Sequence, residues 1–299
     1  MKWTALLLIT VAACGPSTRG DDDDFGGDGG NHGSNGSGGS NGGDGCSDAS
    51  KLIYVVDINN QLSQYDPTSK AFHDLGALAC ESAGTGTPFS MGVDRNANAY
   101  VLYIDGKLFK VDTQSASLPC TATAWHSTSQ LLVFGMGFST TVAGGDVDEL
   151  YVAGGPTATP ASSVTLAQLD VGSFTAATKG TVQGSPELTG NANGELWGFF
   201  PDATNPRIAQ LNKANATPIS PASLPSSMRG DPLDWAFAFY GGNYYVFLLK
   251  ADGIGFPEPN TTVYEVSPTG ALMSSTPAPG RSIVGAGVST CAPVVIGRQ

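Results

Sequence analysis

The sequence predicts an all-β fold built from five similar units, on three observations. Strand-like segments begin at Leu52, Ala99, Glu149, Glu195 and Asn243, at intervals of 47, 50, 46 and 48 residues. Such even spacing indicates an internal repeat. The chain contains 40 Gly, 19 Pro and only 13% charged residues, which suits short strands joined by frequent turns. Each unit also contains a segment in which apolar and polar residues alternate, as in a strand with one buried face.

Further strands are predicted on either side of these five segments. An alternating strand follows and usually closes on a residue that can form a turn with its own side chain. A strand of small residues precedes four of the five, and Gly and Ala allow the close backbone approach that an innermost strand of a radial array needs. The alternating strands are 61–66, 107–112, 165–170, 207–212 and 262–267, and the small-residue strands are 90–93, 135–138, 187–190 and 236–239.

The first unit lacks a small-residue strand at its start, and the equivalent segment lies at 284–288, near the other end of the chain. This displacement is expected if the C-terminus supplies a strand to the unit that the N-terminus begins. Repeated units of about 48 residues that contain several short strands resemble β-propeller blades, each of which has four strands. We therefore predict a five-bladed β-propeller whose closing blade is built from both chain ends. A β-sandwich or an open β array is the alternative, and neither explains the displaced strand.

Ring closure also selects a disulfide pattern. Apart from Cys14, the chain has four cysteines, Cys46, Cys80, Cys120 and Cys291, for which three pairings are possible. Cys46 precedes the first unit and Cys291 follows the displaced strand, so closure makes them neighbours. We therefore expect Cys46–Cys291 and Cys80–Cys120.

The N-terminus has the features of an exported lipoprotein. Lys2 is followed by an apolar stretch at 3–13, which has the length of a signal peptide and is too short for a permanent span. The small residues before Cys14 resemble a bacterial lipobox, in which the thiol is lipidated and the chain is cut before it. Ordinary secretion, with Cys14 incidental, is the alternative. Gly15 carries no inner-membrane retention signal, which favours the outer membrane.

Three regions are thus predicted: a signal peptide at 1–13, a lipidated Cys14 with a disordered tether at 14–45, and a propeller domain at 46–299. The tether consists almost wholly of Gly, Asp, Asn and Ser, and such a composition cannot bury apolar surface. The lipid on Cys14 is expected to anchor the protein in a membrane. The tether is expected to separate the propeller domain from that membrane.

The lipidated tether followed by a repeat domain resembles the surface lipoproteins of myxobacteria, a type with a β-propeller-like repeat domain. This resemblance implies fold and location, and it implies no catalytic residue. The segments that carry it are Ser185-Pro186-Glu187-Leu188-Thr189-Gly190, Asp234-Trp235-Ala236-Phe237-Ala238-Phe239 and Gly285-Ala286-Gly287-Val288-Ser289-Thr290-Cys291.

Several kinds of chemistry lack their motifs in this sequence. His32, His73 and His126 have no metal-ligand spacing, and the domain contains neither a Gly-x-Ser-x-Gly elbow nor a phosphate loop. The formal net charge is −12 and no basic cluster occurs, which argues against nucleic acid as a partner. No metal and no cofactor is therefore predicted.

Carboxylates and aromatic residues at the starts of inner strands are the candidate site residues. Glu187 and Asp234 are weak catalytic candidates, because some five-bladed propellers are glycosidases with acidic residues around the funnel. The alternative is that both accept hydrogen bonds where blades meet. Phe89, Phe134 and Trp235 occupy corresponding positions, from which they can hold a ligand or pack one blade against the next.

The sequence thus favours a non-enzymatic, membrane-anchored propeller that binds a glycan, a peptide or an envelope protein at its funnel. A carboxylate-dependent, glycan-active hydrolase that uses Glu187 and Asp234 is one alternative. A structural component of the cell envelope is the other.

Overall fold

A computed structural model of the chain describes residues 46–252 and 255–295. The predicted signal peptide, Cys14 and the predicted tether lie outside the described residues. The described chain consists of strands joined by turns and three short 3₁₀ segments, and none of its helices is long and apolar enough to cross a membrane. The strands are β1 Ile53–Asp57, β2 Gln61–Asp66, β3 Ala71–Ala77, β4 Pro88–Val93, β5 Asn98–Tyr103, β6 Leu108–Asp112, β7 Cys120–Ala122, β8 Val133–Thr140, β9 Asp148–Gly155, β10 Ser163–Leu169, β11 Ala176–Gln183, β12 Glu187–Gly190, β13 Leu196–Phe200, β14 Arg207–Leu211, β15 Pro218–Ser223, β16 Pro232–Tyr240, β17 Asn243–Lys250, β18 Thr261–Val266, β19 Leu272–Ala278 and β20 Ile283–Gly287.

These strands form five four-stranded antiparallel sheets, arranged as the blades of a ring. Four sheets are built from consecutive strands: β4 to β7, β8 to β11, β12 to β15 and β16 to β19. The fifth has the order β20-β1-β2-β3. The innermost strands β20, β4, β8, β12 and β16 contact one another around the ring. The prediction of an all-β, five-bladed propeller is confirmed.

The closing blade joins the two ends of the described chain. β20 pairs antiparallel with β1, with Tyr54 opposite Gly287 and Val55 opposite Ala286. Just beyond β20, the Ser289 hydroxyl donates a hydrogen bond of 2.6 Å to the carbonyl of Ser50. The last strand of the ring therefore docks onto the first, as the displaced segment predicted.

Both predicted disulfides are present. Cys46–Cys291 has a Cα–Cα distance of 5.7 Å and a sequence separation of 245, and Cys80–Cys120 has values of 5.1 Å and 40. The first locks the closing blade, and the second links the connection after β3 to the outer strand of the next blade. Two disulfides are typical of an oxidising compartment, so they indicate an extracellular or periplasmic protein.

The core lies between adjacent blades. Tyr65 of the closing blade packs against its neighbour's Phe247, with ring centroids 5.6 Å apart and an interplanar angle of 86°. Tyr100 and Phe138 make a tilted contact at 5.6 Å between the β4–β7 and β8–β11 blades. Edge-to-face and tilted aromatic contacts of this kind add to the area that the rings bury.

Glycine on the inner strands lets neighbouring backbones approach closely, as expected from the small-residue segments. A Cβ atom at Gly137 would lie 2.7 Å from the Cα of Thr189 on the next inner strand, and one at Gly287 would lie 2.8 Å from a Val93 methyl group. These approaches leave no room for a side chain at Gly137 or Gly287.

Replacing Gly137 by Ala is expected to destabilise the domain by about 3 kcal/mol, because the new methyl group meets backbone that cannot rotate away. Gly84→Ala is the matched control, since a Cβ there would have no atom within 4 Å. Urea unfolding of both variants measures the difference. Equal midpoints for the two variants would show that the inner strands have more space than the structure gives them.

Candidate ligand-binding site at the funnel mouth

A cavity of about 220 Å³ opens where the inner strands begin. Its wall includes residues from the starts of four of them: Pro88 of β4, Glu187 of β12, Asp234 of β16 and Val284 of β20. We call this cavity the funnel mouth. The complete lining is Ile58, Thr87, Pro88, Phe89, Ile104, Ala158, Glu187, Leu233, Asp234, Trp235 and Val284.

Four of the five residues predicted to line a ligand site meet at the funnel mouth: Phe89, Glu187, Asp234 and Trp235. Phe134 lies apart from it. That residue lines a smaller neighbouring cavity of about 30 Å³, which also touches Phe89, Glu187 and Trp235. The predicted role of these residues in ligand binding stays a prediction.

Phe134 is a core residue in this structure. It is only 1% exposed and packs edge-to-face against Trp125, with ring centroids 5.5 Å apart. Of the two roles open to the aromatic residues, packing is therefore the one that Phe134 performs. Phe89 and Trp235 are half-buried, and each presents part of its ring to the funnel mouth.

Glu187 connects three inner strands. Its Oε1 accepts a hydrogen bond from the Ser90 hydroxyl on β4 and another, 3.2 Å long, from the Met136 N–H on β8. The residue is 2% exposed, and this burial raises the pKa of the carboxyl well above its ordinary value, although both hydrogen bonds oppose the shift. Glu187 therefore accepts hydrogen bonds where blades meet, which is the alternative role that the sequence left open for it. It also contributes to the cavity wall.

The raised pKa of Glu187 makes stability depend on pH with a definite sign. The folded state holds the proton more tightly than the unfolded state, whose Glu pKa is about 4.3, so stability is fully present below that pH. It is lost as pH rises through the folded-state pKa, at about 1.4 kcal/mol per unit of elevation.

Glu187→Gln is therefore expected to flatten the fall in unfolding free energy between pH 4.5 and pH 8, because the amide oxygen accepts the same hydrogen bonds without ionising. Urea unfolding at several pH values measures the two slopes. Asp170→Asn, at an exposed turn, is the control and should keep the wild-type slope in this window. Parallel curves for wild type and Glu187→Gln would contradict the account of Glu187.

Asp234 is the carboxyl group at the funnel mouth that lacks a partner among the described residues. Within the part of the chain that the structure describes, its carboxylate makes no hydrogen bond or ion pair. Burial raises the pKa of this half-buried carboxyl, and no hydrogen bond or positive charge offsets the shift. A ligand that donates hydrogen bonds or carries positive charge would supply the missing interaction.

Three β-bulges shape the wall of the funnel mouth. In β4, β16 and β20 the pairing with the neighbouring strand skips one residue, and the skipped residues are Phe89, Leu233 and Val284. All three line the cavity. A bulge re-aims the extra side chain, and such features are enriched next to binding and active sites. Phe89 was predicted as a site residue from the sequence, whereas Leu233 and Val284 were not, because a bulge depends on strand register.

An apolar rim surrounds the two carboxyl groups. Ile58 follows β1 and is 37% exposed, Ile104 follows β5 and is 45% exposed, and Leu233 is 41% exposed. All three border the same cavity. Large aliphatic side chains clustered at the surface mark an interaction site more often than isolated ones do.

The opposite face of the ring has a different character. A broad depression of about 620 Å³ there is bordered by the Cys46–Cys291 disulfide, Arg95 and Thr290. The nearby Asp148 carboxylate accepts hydrogen bonds from Arg95 Nε at 3.1 Å and from Thr290 Oγ1 at 2.8 Å. This network ties the segment after β20 to two blades, and no pattern in the sequence predicts it.

The described part of the chain contains no cluster of side chains that could bind a metal ion. Residues 46–252 and 255–295 contain no group of three or more His, Cys, Asp or Glu side chains placed to hold an ion. Glu187 and Asp234 are the ionisable residues that line the funnel mouth.

No protein-family model matches the sequence, and no curated protein matches it. Among solved structures, the chain is similar to the calcium-binding protein regucalcin from Agrobacterium tumefaciens, with a TM-score of 0.45 and 12% identity over 81% of this chain and 75% of the other. The chain is also similar to a chain of a nidogen/laminin complex, with a TM-score of 0.44 and 13% identity over 80% of each chain. Its similarity to a protein of unknown function from Bacteroides caccae has a TM-score of 0.39 and 9% identity, over 79% of this chain and 97% of the other. At these identities the similarity concerns the fold and assigns no activity.

Proposed function

We propose that this protein is an exported, lipid-anchored propeller that binds a ligand at the funnel mouth without transforming it. The ligand class spans a glycan, a peptide or an exposed segment of an envelope protein. The observation that carries the proposal is the Asp234 carboxylate, which is half-buried in an open cavity with aromatic walls and has no partner among the described residues.

The contrast between the two faces supports binding over a purely structural role. On the opposite face the half-buried carboxylate of Asp148 accepts hydrogen bonds from Arg95 and Thr290. At the funnel mouth Asp234 lacks such partners, and desolvating a carboxylate without compensation costs folding free energy. Proteins retain such costs at sites where a ligand completes the interaction.

The proposed localisation rests on the N-terminal sequence and on the disulfides. The apolar stretch at 3–13, the small residues before Cys14 and the Gly-rich segment after it have the order found in bacterial lipoproteins, including those of the myxobacterial surface type. We place the anchor in the outer membrane. Mass spectrometry of the N-terminal peptide tests this directly: a lipid-modified Cys14 is expected, and an unmodified Cys14 would exclude the anchor.

Binding is tested by a thermal-shift screen of the full chain, with its disulfides intact, against glycans, cell-wall fragments and short peptides. A ligand at a hundredfold excess over its Kd should stabilise the protein by about 2.7 kcal/mol. Trp235→Ala should abolish the shift, whereas Ile219→Ala on the exposed face of β15 should preserve it. Binding at the funnel mouth would be refuted if no ligand in the panel raised the unfolding temperature, or if a shift persisted in Trp235→Ala.

One observation favours a second candidate, the carboxylate-dependent hydrolase. Glu187 and Asp234 line one cavity, and burial raises the pKa of both, as is required of a general acid near neutral pH. A hydrolase would turn over one of the glycans in the panel and would lose that turnover in Glu187→Gln or Asp234→Asn while keeping its fold. Binding without products assigns the site to recognition.

A further inference from the structure

We infer that the funnel mouth recognises a lysine or arginine side chain presented by a peptide segment. The inference rests on the proposed function and names the occupant of that site. It is drawn from the charge of the cavity, the character of its wall and its size.

The charge of the cavity selects a cation. Among the described residues that line the cavity, the ionisable side chains are the carboxyl groups of Glu187 and Asp234, and none is Lys, Arg or His. Glu187 is 2% exposed and already accepts two hydrogen bonds on Oε1, whereas Asp234 is half-buried and is the more accessible carboxylate for a ligand. A hydrogen bond from an ammonium or guanidinium group to a carboxylate is about twice as strong as a neutral one. The formal net charge of −12 also favours the approach of a basic segment.

The wall of the cavity suits the aliphatic stem of a basic side chain. Phe89 and Trp235 offer aromatic surface, and Leu233, Val284 and Ile104 offer aliphatic surface. Lysine and arginine bury their methylene groups against such surfaces while the charged head reaches a polar partner. An aromatic face within about 6 Å of the head group adds a cation–π attraction.

The size and polarity of the cavity favour one side chain over a sugar chain. At about 220 Å³ the funnel mouth is smaller than the 300–1,000 Å³ of ordinary small-molecule sites. Its polar side-chain groups come from Thr87, Glu187, Asp234 and the Trp235 indole. A sugar ring with several hydroxyl groups would need more hydrogen-bond partners than these, whereas an apolar stem with one charged end needs few.

The test compares blocked pentapeptides that differ only in the central residue: acetyl-Leu-Ala-X-Ala-Leu-amide with X as lysine, arginine or norleucine. Norleucine keeps the aliphatic stem and lacks the charge. Titration of the full chain followed by indole ¹H–¹⁵N signals should show the lysine and arginine peptides binding at least about tenfold more tightly than the norleucine peptide. Asp234→Asn should reduce that preference to below about threefold, and Ile219→Ala should leave it unchanged.

Acidification provides an independent readout on the unmodified chain. Affinity for the lysine peptide should fall as pH drops through the raised pKa of Asp234, while affinity for the norleucine peptide should stay level. Glu187, the other ionisable group of the lining, is checked by repeating the titration with Glu187→Gln, which should keep the pH dependence.

The outcomes separate this inference from the proposed function. Equal affinity for the lysine and norleucine peptides overturns the inference. So does a chito-oligosaccharide that binds in a Trp235-dependent manner while the lysine peptide does not, although the funnel mouth then remains a binding site. If no peptide binds and no ligand in the thermal-shift screen stabilises the protein, both the inference and the proposed function are refuted.

Discussion

A chain that ends at residue 282 is expected not to fold. This truncation removes β20, whose five residues are all buried and which pairs with β1. β20 also packs against both neighbouring inner strands, β4 and β16, so its loss opens the ring and exposes apolar faces on two sides. Loss of the near-ultraviolet circular dichroism signal and of cooperative urea unfolding is the expected result. A cooperative transition in the truncated chain would contradict ring closure.

A permuted chain provides the control for this truncation. The segment 283–291 is moved ahead of residue 46, so that the closing strand enters its blade from the N-terminal side. The Cα atoms of Cys46 and Cys291 are 5.7 Å apart, so a short glycine linker spans the new junction. The permuted chain should regain the native signal. Failure of the permuted chain to fold would show that the segment acts through something other than its place in the closing blade.

Replacing both Cys46 and Cys291 by Ser is expected to destabilise the folded ring by roughly 5 kcal/mol, the second-largest effect. The sequence separation of 245 means that this bond restricts nearly the whole unfolded domain. Cys80–Cys120 spans only 40 residues, so the same treatment there should cost about 4 kcal/mol. Urea unfolding of the two double variants measures both values.

The order of the two losses is the informative result. If the Cys46–Cys291 bond constrains the unfolded ring, its removal must cost more than removal of the shorter-loop bond. A smaller cost would mean that the hydrogen bonds around Ser289 and Thr290 hold the closing blade without it.

Much of the fold was predictable because a propeller repeats its strand pattern at a nearly constant interval. The displaced segment at 284–288 showed how the ring closes, and closure then selected the disulfides. The network of Arg95, Asp148 and Thr290 was not predictable, since these residues belong to three different blades and no local pattern relates them.

The candidate site was predictable in part. Phe89, Asp234 and Trp235 stand at the starts of inner strands, so topology alone brought them to one end of the ring. Leu233 lines the cavity because a bulge turns it there, and Ile104 because the β5–β6 turn lies beside it. Neither fact has a sequence signal. Phe134 shared the pattern of Phe89 but packs on Trp125, because its strand has no bulge at the corresponding position.

The most direct test of the site follows the indole signals of the tryptophans during titration with the lysine pentapeptide. Trp235 lines the funnel mouth, whereas Trp125 packs on Phe134 and the Trp197 indole donates a hydrogen bond of 3.2 Å to Glu195. The Trp235 signal is expected to move with saturation, the Trp125 and Trp197 signals to stay in place, and Asp234→Asn to abolish the movement. Saturable binding that leaves the Trp235 signal unchanged would contradict binding at the funnel mouth.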